Sequence, residues 1–194
     1  MAITPPSPDH FGLALYYQRI RDFPNALAEY RTLLEQNEAN PEVHNNLGLL
    51  YQDHGDLDDA RKQFQRAIVV EPRYAKAHNN LGVVWMRGGL LEQAAAEFRV
   101  ALSIDQRSVE ALVNLALVQK TAGHPAEARD LLQRAVMLDP SHPGSHYNLA
   151  VVADGSGDVA VAIEHYRAFL KFGAVTHADL AAQVRARLTA LGST

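Results

Sequence analysis

The chain has 194 residues, of which 47% are hydrophobic and 21% are charged, and this composition excludes an intrinsically disordered chain. Its 18 basic and 22 acidic residues give a net charge of −4, which does not favour a nucleic acid as the partner. The absence of cysteine excludes disulfide bonds, thiolate metal sites and a cysteine nucleophile.

The N-terminal sequence MAITPPSP contains neither a basic segment nor an apolar one, so we expect no secretory signal. Residues 1–6 are predicted to form a flexible tail. Apolar runs elsewhere are a few residues long, far short of the roughly 20 that a membrane-spanning helix needs. We therefore expect a cytoplasmic protein with no membrane span.

A repeat of 34 residues dominates the rest of the chain. It is clearest in the triplet Asn-Leu-Gly or Asn-Leu-Ala, which begins at Asn46, Asn80, Asn114 and Asn148. Five repeats fit the period, with repeat one at 7–40, repeat two at 41–74, repeat three at 75–108, repeat four at 109–142 and repeat five at 143–176. Positions within a repeat are counted below from its first residue.

Each repeat is predicted to form two helices, as repeat two illustrates. Asn40-Pro41 supplies an N-cap followed by proline in the first helical turn. Apolar residues then recur at i, i+4, i+7 and i+8 from Val43, which is the spacing of an amphipathic helix. Gly55-Asp56 breaks this helix, and Asp56 is predicted to cap a second helix that ends before Pro72. The pattern predicts an all-α protein.

Residues 177–194 are predicted to form one further helix that covers the last repeat. Thr176 and Asp179 have the spacing of a capping box, and Gly192 suits the C-terminal end. One face of this helix is apolar, and Gln183, Arg185 and Arg187 lie mostly away from it; the apolar residues are Leu180, Val184, Leu188 and Leu191. The alternative is a helix that binds a partner.

The repeat resembles the tetratricopeptide repeat. The resemblance lies in leucine at position 7, a small residue at 8, an aromatic at 11, glycine at 15, alanine at 20, an aromatic or leucine at 24, alanine at 27 and proline at 32. The five repeats match 32 of these 40 positions. Departures include Arg21 in place of glycine and Phe169 in place of alanine. The resemblance implies a right-handed α-solenoid of five helix hairpins and a non-catalytic protein-interaction scaffold.

Histidines are the one candidate for metal chemistry. His44, His78 and His146 share position 4, where we interpret them as packing residues that replace an apolar side chain. Successive repeats lie on the order of 10 Å apart, whereas zinc holds its nitrogens within about 2.1 Å, so these three cannot form one metal site. Nucleotide-binding and hydrolase motifs are absent from the sequence. We expect no enzyme activity, no metal and no cofactor.

The resemblance also implies that the first helix of each hairpin lines a concave groove through positions 2, 5, 6, 9, 12 and 13. At position 6, an asparagine amide offers both a donor and an acceptor, and a row of them can hold the backbone of a peptide; the row is Asn46, Asn80, Asn114 and Asn148. The alternative is that these amides bond within the helix pair or to water. Other predicted lining residues are Asn45, Asn79, Lys76, Met86, Arg87, Lys120 and Tyr147.

The predicted partner is a protein or peptide, extended or helical, held in this groove. A self-assembling structural solenoid is the alternative function. We expect no nucleic-acid partner, and a monomer, with a homo-oligomer as the alternative.

Overall fold

The computed structural model describes residues 9–192, and over this range it consists of helices and contains no strand. The predicted tail at residues 1–6 lies outside the described range. The helices are α1 (His10–Arg19), α2 (Phe23–Gln36), α3 (Pro41–His54), α4 (Leu57–Val70), α5 (Ala75–Arg87), α6 (Leu91–Ile104), α7 (Val109–Thr121), α8 (Pro125–Leu138), α9 (Pro143–Gly155), α10 (Val159–Gly173) and α11 (Ala178–Ala190). The predicted all-α class is confirmed, and each predicted repeat contains two of these helices.

Capping explains where several of these helices begin. The Asn40 side chain accepts from the backbone N–H groups of Glu42 and Val43 at 3.1 and 3.2 Å, so the predicted cap of α3 is confirmed. Asp56 is the N-cap residue of α4, as predicted, but its side chain makes no cap bond. Its carboxylate accepts instead from the His54 ring at 2.8 Å.

The turn between the two helices of a repeat requires a left-handed backbone. Gly55 has a φ of 100°, and the glycines at the same position of the next three repeats are also in the left-handed region. Repeat one has Arg21 at this position, and its φ of 62° places a non-glycine residue in the same conformation. Repeat one therefore departs from the sequence pattern at Arg21 but keeps the same turn conformation.

The chain divides into two compact units, Met1–Val84 and Trp85–Thr194, with the boundary in the last turn of α5. In the first unit, Ala14, Tyr30 and Leu47 belong to a buried cluster that joins α1, α2 and α3. Close approach of α3 to α4 depends on Gly48, because a Cβ at this residue would lie 2.5 Å from the Phe64 ring.

The second unit contains two buried clusters. The first joins α7, α8 and α9 through residues such as Leu112, Leu132 and Leu149. In the other, Val184 and Leu188 of α11 are buried with a set of α9 and α10 residues. The predicted C-terminal helix is therefore present, and it covers apolar residues of the last repeat.

The start of α11 differs from the predicted capping box. The helix begins at Ala178 after His177, and Thr176 makes no cap bond because its hydroxyl donates to the Gly173 carbonyl at 3.2 Å. Within residues 9–192, no helix combines the length and the apolar character that crossing a bilayer demands.

Candidate functional site

The position-6 asparagines lie on the first helices of repeats two to five, and each is half-buried. In the first unit, the Asn80 amide N–H donates to Asn45 Oδ1 at 2.9 Å. In the second unit, the Asn148 amide N–H donates to the Gly144 carbonyl of its own helix at 2.8 Å. The structure thus fixes the orientation of two of these amides by bonds to the protein itself.

Asn45, at position 5 of repeat two, is buried, whereas the position-6 asparagines are half-buried. Its side chain is 3% exposed and acts as the acceptor for Asn80. This burial corrects the prediction that Asn45 lines the groove. Asn79, the same position one repeat later, is half-buried.

The remaining predicted lining residues differ in their exposure. Lys76 is exposed in the first unit, and Arg87 and Lys120 are exposed in the second, where Met86 is half-buried. Tyr147 packs against the cluster of α9, α10 and α11, with its ring centroid 5.4 Å from that of Phe169. Part of the Tyr147 side chain therefore contributes to the core of repeat five.

A polar bond between the two helices of a hairpin was missed by the sequence analysis. In repeat one the Tyr30 hydroxyl donates to Gln18 Oε1 at 3.0 Å, and in repeat five the Tyr166 hydroxyl donates to Asp154 Oδ2 at 3.2 Å. Burial raises the pKa of both tyrosines to about 12, so both remain neutral donors at physiological pH. The signal was available, since tyrosine at position 24 accompanies a polar residue at position 12 in both repeats.

Asp154 also joins α9 to α11. The Arg187 guanidinium donates to both carboxylate oxygens, at 2.6 and 2.7 Å, and this bidentate bond holds the pKa of Asp154 below its usual range. Arg187 was predicted to lie away from the apolar face of its helix, and in the structure its partner is Asp154.

The histidines at position 4 are buried, as the interpretation of them as packing residues predicts. His44, His78 and His146 are 6%, 8% and 6% exposed. The Nε2 atom of each lies 2.8–3.1 Å from a backbone carbonyl oxygen six residues earlier in the chain. His10 occupies the same position in repeat one, although it was not among the predicted packing histidines. In the part of the chain that the structure describes, no three or more histidine, aspartate or glutamate side chains gather into a metal-binding group.

Comparison with known proteins agrees with this architecture. A family model for the tetratricopeptide repeat matches residues 45–109 and 113–175, and a second TPR repeat model matches residues 22–55. No curated protein sequence matches the chain.

Solved structures of similar fold include PilF of Pseudomonas aeruginosa, which is 20% identical with a TM-score of 0.79 over 94% of this chain and 90% of that one. A thermophilic TPR protein of Thermus thermophilus, TTC0263, is 20% identical with a TM-score of 0.73 over 94% and 97% of the two chains. YrrB, described as a TPR protein with an unusual peptide-binding site, is 18% identical with a TM-score of 0.65 over 84% of each chain. At these identities the likeness shows the shared fold.

Proposed function

The chain belongs to the tetratricopeptide-repeat family, and we propose that it is a non-catalytic scaffold that holds an extended segment of a partner protein against the first helices of its repeats. The observation that carries this proposal is the recurrence of a half-buried asparagine at position 6 of four successive repeats. Asparagine is a mediocre helix former, so its recurrence in the middle of four helices calls for a role that repays this cost.

The hydrogen-bonding capacity of these amides supports the proposal. An asparagine amide has two N–H donors and an oxygen with two lone pairs. The bonds from Asn80 to Asn45 and from Asn148 to Gly144 each use one N–H and hold the amide in a single orientation. A pre-oriented amide loses less side-chain entropy when it binds a ligand.

An extended segment suits these amides better than a helical one. The backbone N–H and C=O groups within a helix are already paired with each other, whereas those of an extended chain need partners. A side-chain amide that donates and accepts can therefore hold an extended backbone whatever its sequence. Selectivity would come from other side chains, and the exposed cations Lys76 and Lys120 favour a segment that carries acidic residues.

Four amide bonds are not sufficient by themselves. Each contributes about 1 kcal/mol net, or about 4 kcal/mol together, whereas association costs on the order of 4–15 kcal/mol. Apolar contacts, for which Met86 and the accessible part of Tyr147 are candidates, must supply the difference. We therefore expect affinity to be moderate and to depend strongly on the amides.

The test compares two quadruple variants of the full chain. One replaces the position-6 residues Asn46, Asn80, Asn114 and Asn148 by alanine. The matched control removes four exposed glutamine amides from second helices, at Gln36, Gln65, Gln93 and Gln133. Each variant is compared with the wild type for helicity by circular dichroism and for the proteins it retains from a cell extract, which are quantified by mass spectrometry.

Partners that bind the amide row should be retained by the wild type and by the glutamine control and lost from the asparagine variant. Removal of about 4 kcal/mol corresponds to nearly three powers of ten in affinity, so the loss should be close to complete. If the asparagine variant keeps its helicity and retains the same proteins as the control, the amide row is not the binding site.

Self-assembly is the second candidate, and the exposed apolar residues of α1 favour it. Leu13, Tyr16 and Ile20 are 37%, 47% and 51% exposed, whereas Leu47 and Leu50, which occupy the positions of Leu13 and Tyr16 in repeat two, are each 3% exposed. Contact between α1 faces of two copies would bury these residues. Light scattering should then show a dimer that Tyr16→Lys converts to a monomer, and a wild-type monomer at high concentration would reject this candidate.

A further inference from the structure

A cavity of about 380 Å³ lies in the first unit, between the end of α1, the turn into α2 and the end of α3. Its volume falls in the range of about 300–1,000 Å³ that is usual for small-molecule sites. The end of α1 and its turn contribute two guanidinium groups, whereas the end of α3 contributes a carboxylate and an imidazole. The lining residues are Gln18, Arg19, Arg21, Phe23, Leu50, Asp53 and His54.

Arg21 has a backbone conformation that its residue type disfavours. Within residues 9–192 it is the one residue other than glycine with a positive φ, at 62°. This conformation costs free energy for a residue with a Cβ, and such strain is concentrated at functional sites. Repeat one also differs from the other repeats in having arginine at both position 13 and position 15, as Arg19 and Arg21. These two observations indicate a role for the Arg21 side chain beyond the turn itself.

The guanidinium groups that line the cavity are not neutralised by the protein. Among the residues that the structure describes, no carboxylate forms an ion pair with Arg19 or Arg21. Arg19 instead lies over the Tyr16 ring, 5.8 Å from its centroid. The carboxylate next in the sequence, Asp22, accepts from the backbone N–H of Asn25 at the start of α2. Both guanidinium groups are exposed, and their N–H groups match the oxygens of a carboxylate ligand.

The end of α3 contributes hydrogen-bond acceptors to the same cavity. Asp53 Oδ2 accepts from the Gln18 amide at 3.3 Å, which leaves Oδ1 for a ligand. His54 Nδ1 lies 2.8 Å from Asp56 Oδ2, and because a carboxylate only accepts, Nδ1 carries the hydrogen and Nε2 of the neutral ring is an acceptor. Phe23 stacks on the His54 ring at 3.9 Å between centroids and restrains it. An ammonium group, which has donors only, suits this pair of acceptors.

We propose that this cavity binds a free α-amino acid with an apolar side chain. The carboxylate of the ligand binds Arg19 and Arg21, and its ammonium group binds Asp53 and His54 Nε2. Its side chain lies against the apolar part of the lining. The cations and the Asp53 carboxylate line one cavity without forming an ion pair with each other, so a zwitterion gives each of them an opposite charge. A simple anion would meet repulsion from Asp53, and a simple cation would meet repulsion from the arginines.

The test uses L-phenylalanine and two analogues that each lack one charge. 3-Phenylpropanoate lacks the ammonium group, and 2-phenylethylamine lacks the carboxylate. Each is titrated into the full-length, ¹⁵N-labelled protein at about pH 7.5, where imidazole is mostly neutral, and backbone amide shifts are followed by NMR. L-Phenylalanine should shift amides of residues 18–23 and 50–56. A ligand of about 12 non-hydrogen atoms is expected to bind in the millimolar range or more tightly, and each analogue should bind at least about tenfold more weakly.

Three variants each remove one charge, and the same spectra verify that they are folded. Arg21→Gly gives the turn the residue that the other repeats have, so it removes a guanidinium without adding strain. Asp53→Asn removes a carboxylate and keeps an oxygen for the Gln18 amide. The matched control is Arg66→Gln, which removes an exposed cation of α4 that does not line the cavity.

The variants should separate the two charges of the ligand. R21G and D53N should each bind L-phenylalanine at least about tenfold more weakly than the wild type, because each loses a charge-assisted bond, and R66Q should bind it equally. D53N should bind 3-phenylpropanoate no more weakly than the wild type does, because the carboxylate that it removes repels this anion.

Three results would overturn the proposal. One is the absence of amide shifts in the wild type at about 10 mM L-phenylalanine, which would exclude millimolar binding. Another is an unchanged affinity in R21G. The third is equal affinity of the wild type for L-phenylalanine and 3-phenylpropanoate, which would show that the cavity binds oxyanions without regard to the ammonium group.

Discussion

Replacement of Gly48 by alanine is expected to destabilise repeat two, although alanine is the better helix former. A Cβ at this residue would lie 2.5, 2.7 and 2.9 Å from Cε1, Cδ1 and Cζ of Phe64. The Phe64 side chain is 0% exposed, so its ring is enclosed on every side. Either the ring or the spacing between α3 and α4 must therefore change.

The two opposing contributions can be compared. Alanine gains about 1 kcal/mol over glycine inside a helix, and overpacking of a well-packed core costs about 1–3 kcal/mol. The expected net effect of Gly48→Ala is a loss of up to about 2 kcal/mol in the free energy of unfolding. Urea denaturation followed by circular dichroism measures this loss as a lower transition midpoint.

The double variant with Phe64→Leu isolates the contact. Alanine and leucine already occupy these two positions in repeat four, where Ala116 and Leu132 are each 1% exposed. In the Phe64→Leu background, Gly48→Ala should therefore raise the midpoint, because the helix-propensity gain remains and the ring is gone. A rise in the midpoint in both backgrounds would refute the reasoning, since it would show that the ring moves aside at little cost.

Three further changes test other contacts. Arg187→Gln should lower the melting temperature at neutral pH, because it removes the bidentate bond to Asp154. The folded pKa of the Asp154 carboxyl is depressed, so the contribution of this bond to stability is present above pH 3.8 and is lost as the pH falls; thermal melts of the variant and the wild type should therefore converge in acid. Burial lowers the folded pKa of His165, so the stability of the wild type should fall as the pH drops below 6.5. In His165→Gln, the urea midpoint should decline less over the same pH range than in the wild type. Tyr30→Phe should lower the free energy of unfolding by about 1 kcal/mol, because the bond to Gln18 is lost. The folded pKa of Tyr30 is about 12, above the ordinary 10.0, so this tyrosine stabilises the protein below pH 10 and ceases to do so as the pH rises through 12. Unfolding measured over a series of alkaline pH values would detect this loss.

The helical architecture could be predicted from the sequence because it follows from the period alone. A small residue at position 8 and a large one at position 24 return every 34 residues, and these determine the approach of paired helices regardless of surface detail. Capping was less predictable, since side chains compete for the same donors. Asp56 is at the N-cap position of α4, yet its carboxylate accepts a hydrogen bond from the His54 ring instead of from the helix backbone.

The candidate site was predicted at the level of helix faces but not of single side chains. Asn45 and Asn46 are neighbours in the sequence, and the pattern could not show that Asn45 is buried. The contact between His146 and His165 in repeat five joins position 4 to position 23. To predict it, these two positions would have had to be compared with each other across the repeats. Residues 19 apart on two helices are not adjacent in any helical pattern, so their contact becomes evident once the hairpin geometry is known.

The tyrosine hydroxyls of repeats one and five affect the local opening of their hairpins. A hairpin closed by the Tyr30 or Tyr166 hydroxyl must break a directional bond before its helices separate. Phe64 and Phe98 occupy the same position in repeats two and three, and they lack the hydroxyl that makes this bond. Amide hydrogen exchange in the outermost repeats should consequently be slower than a simple fraying of ends would produce.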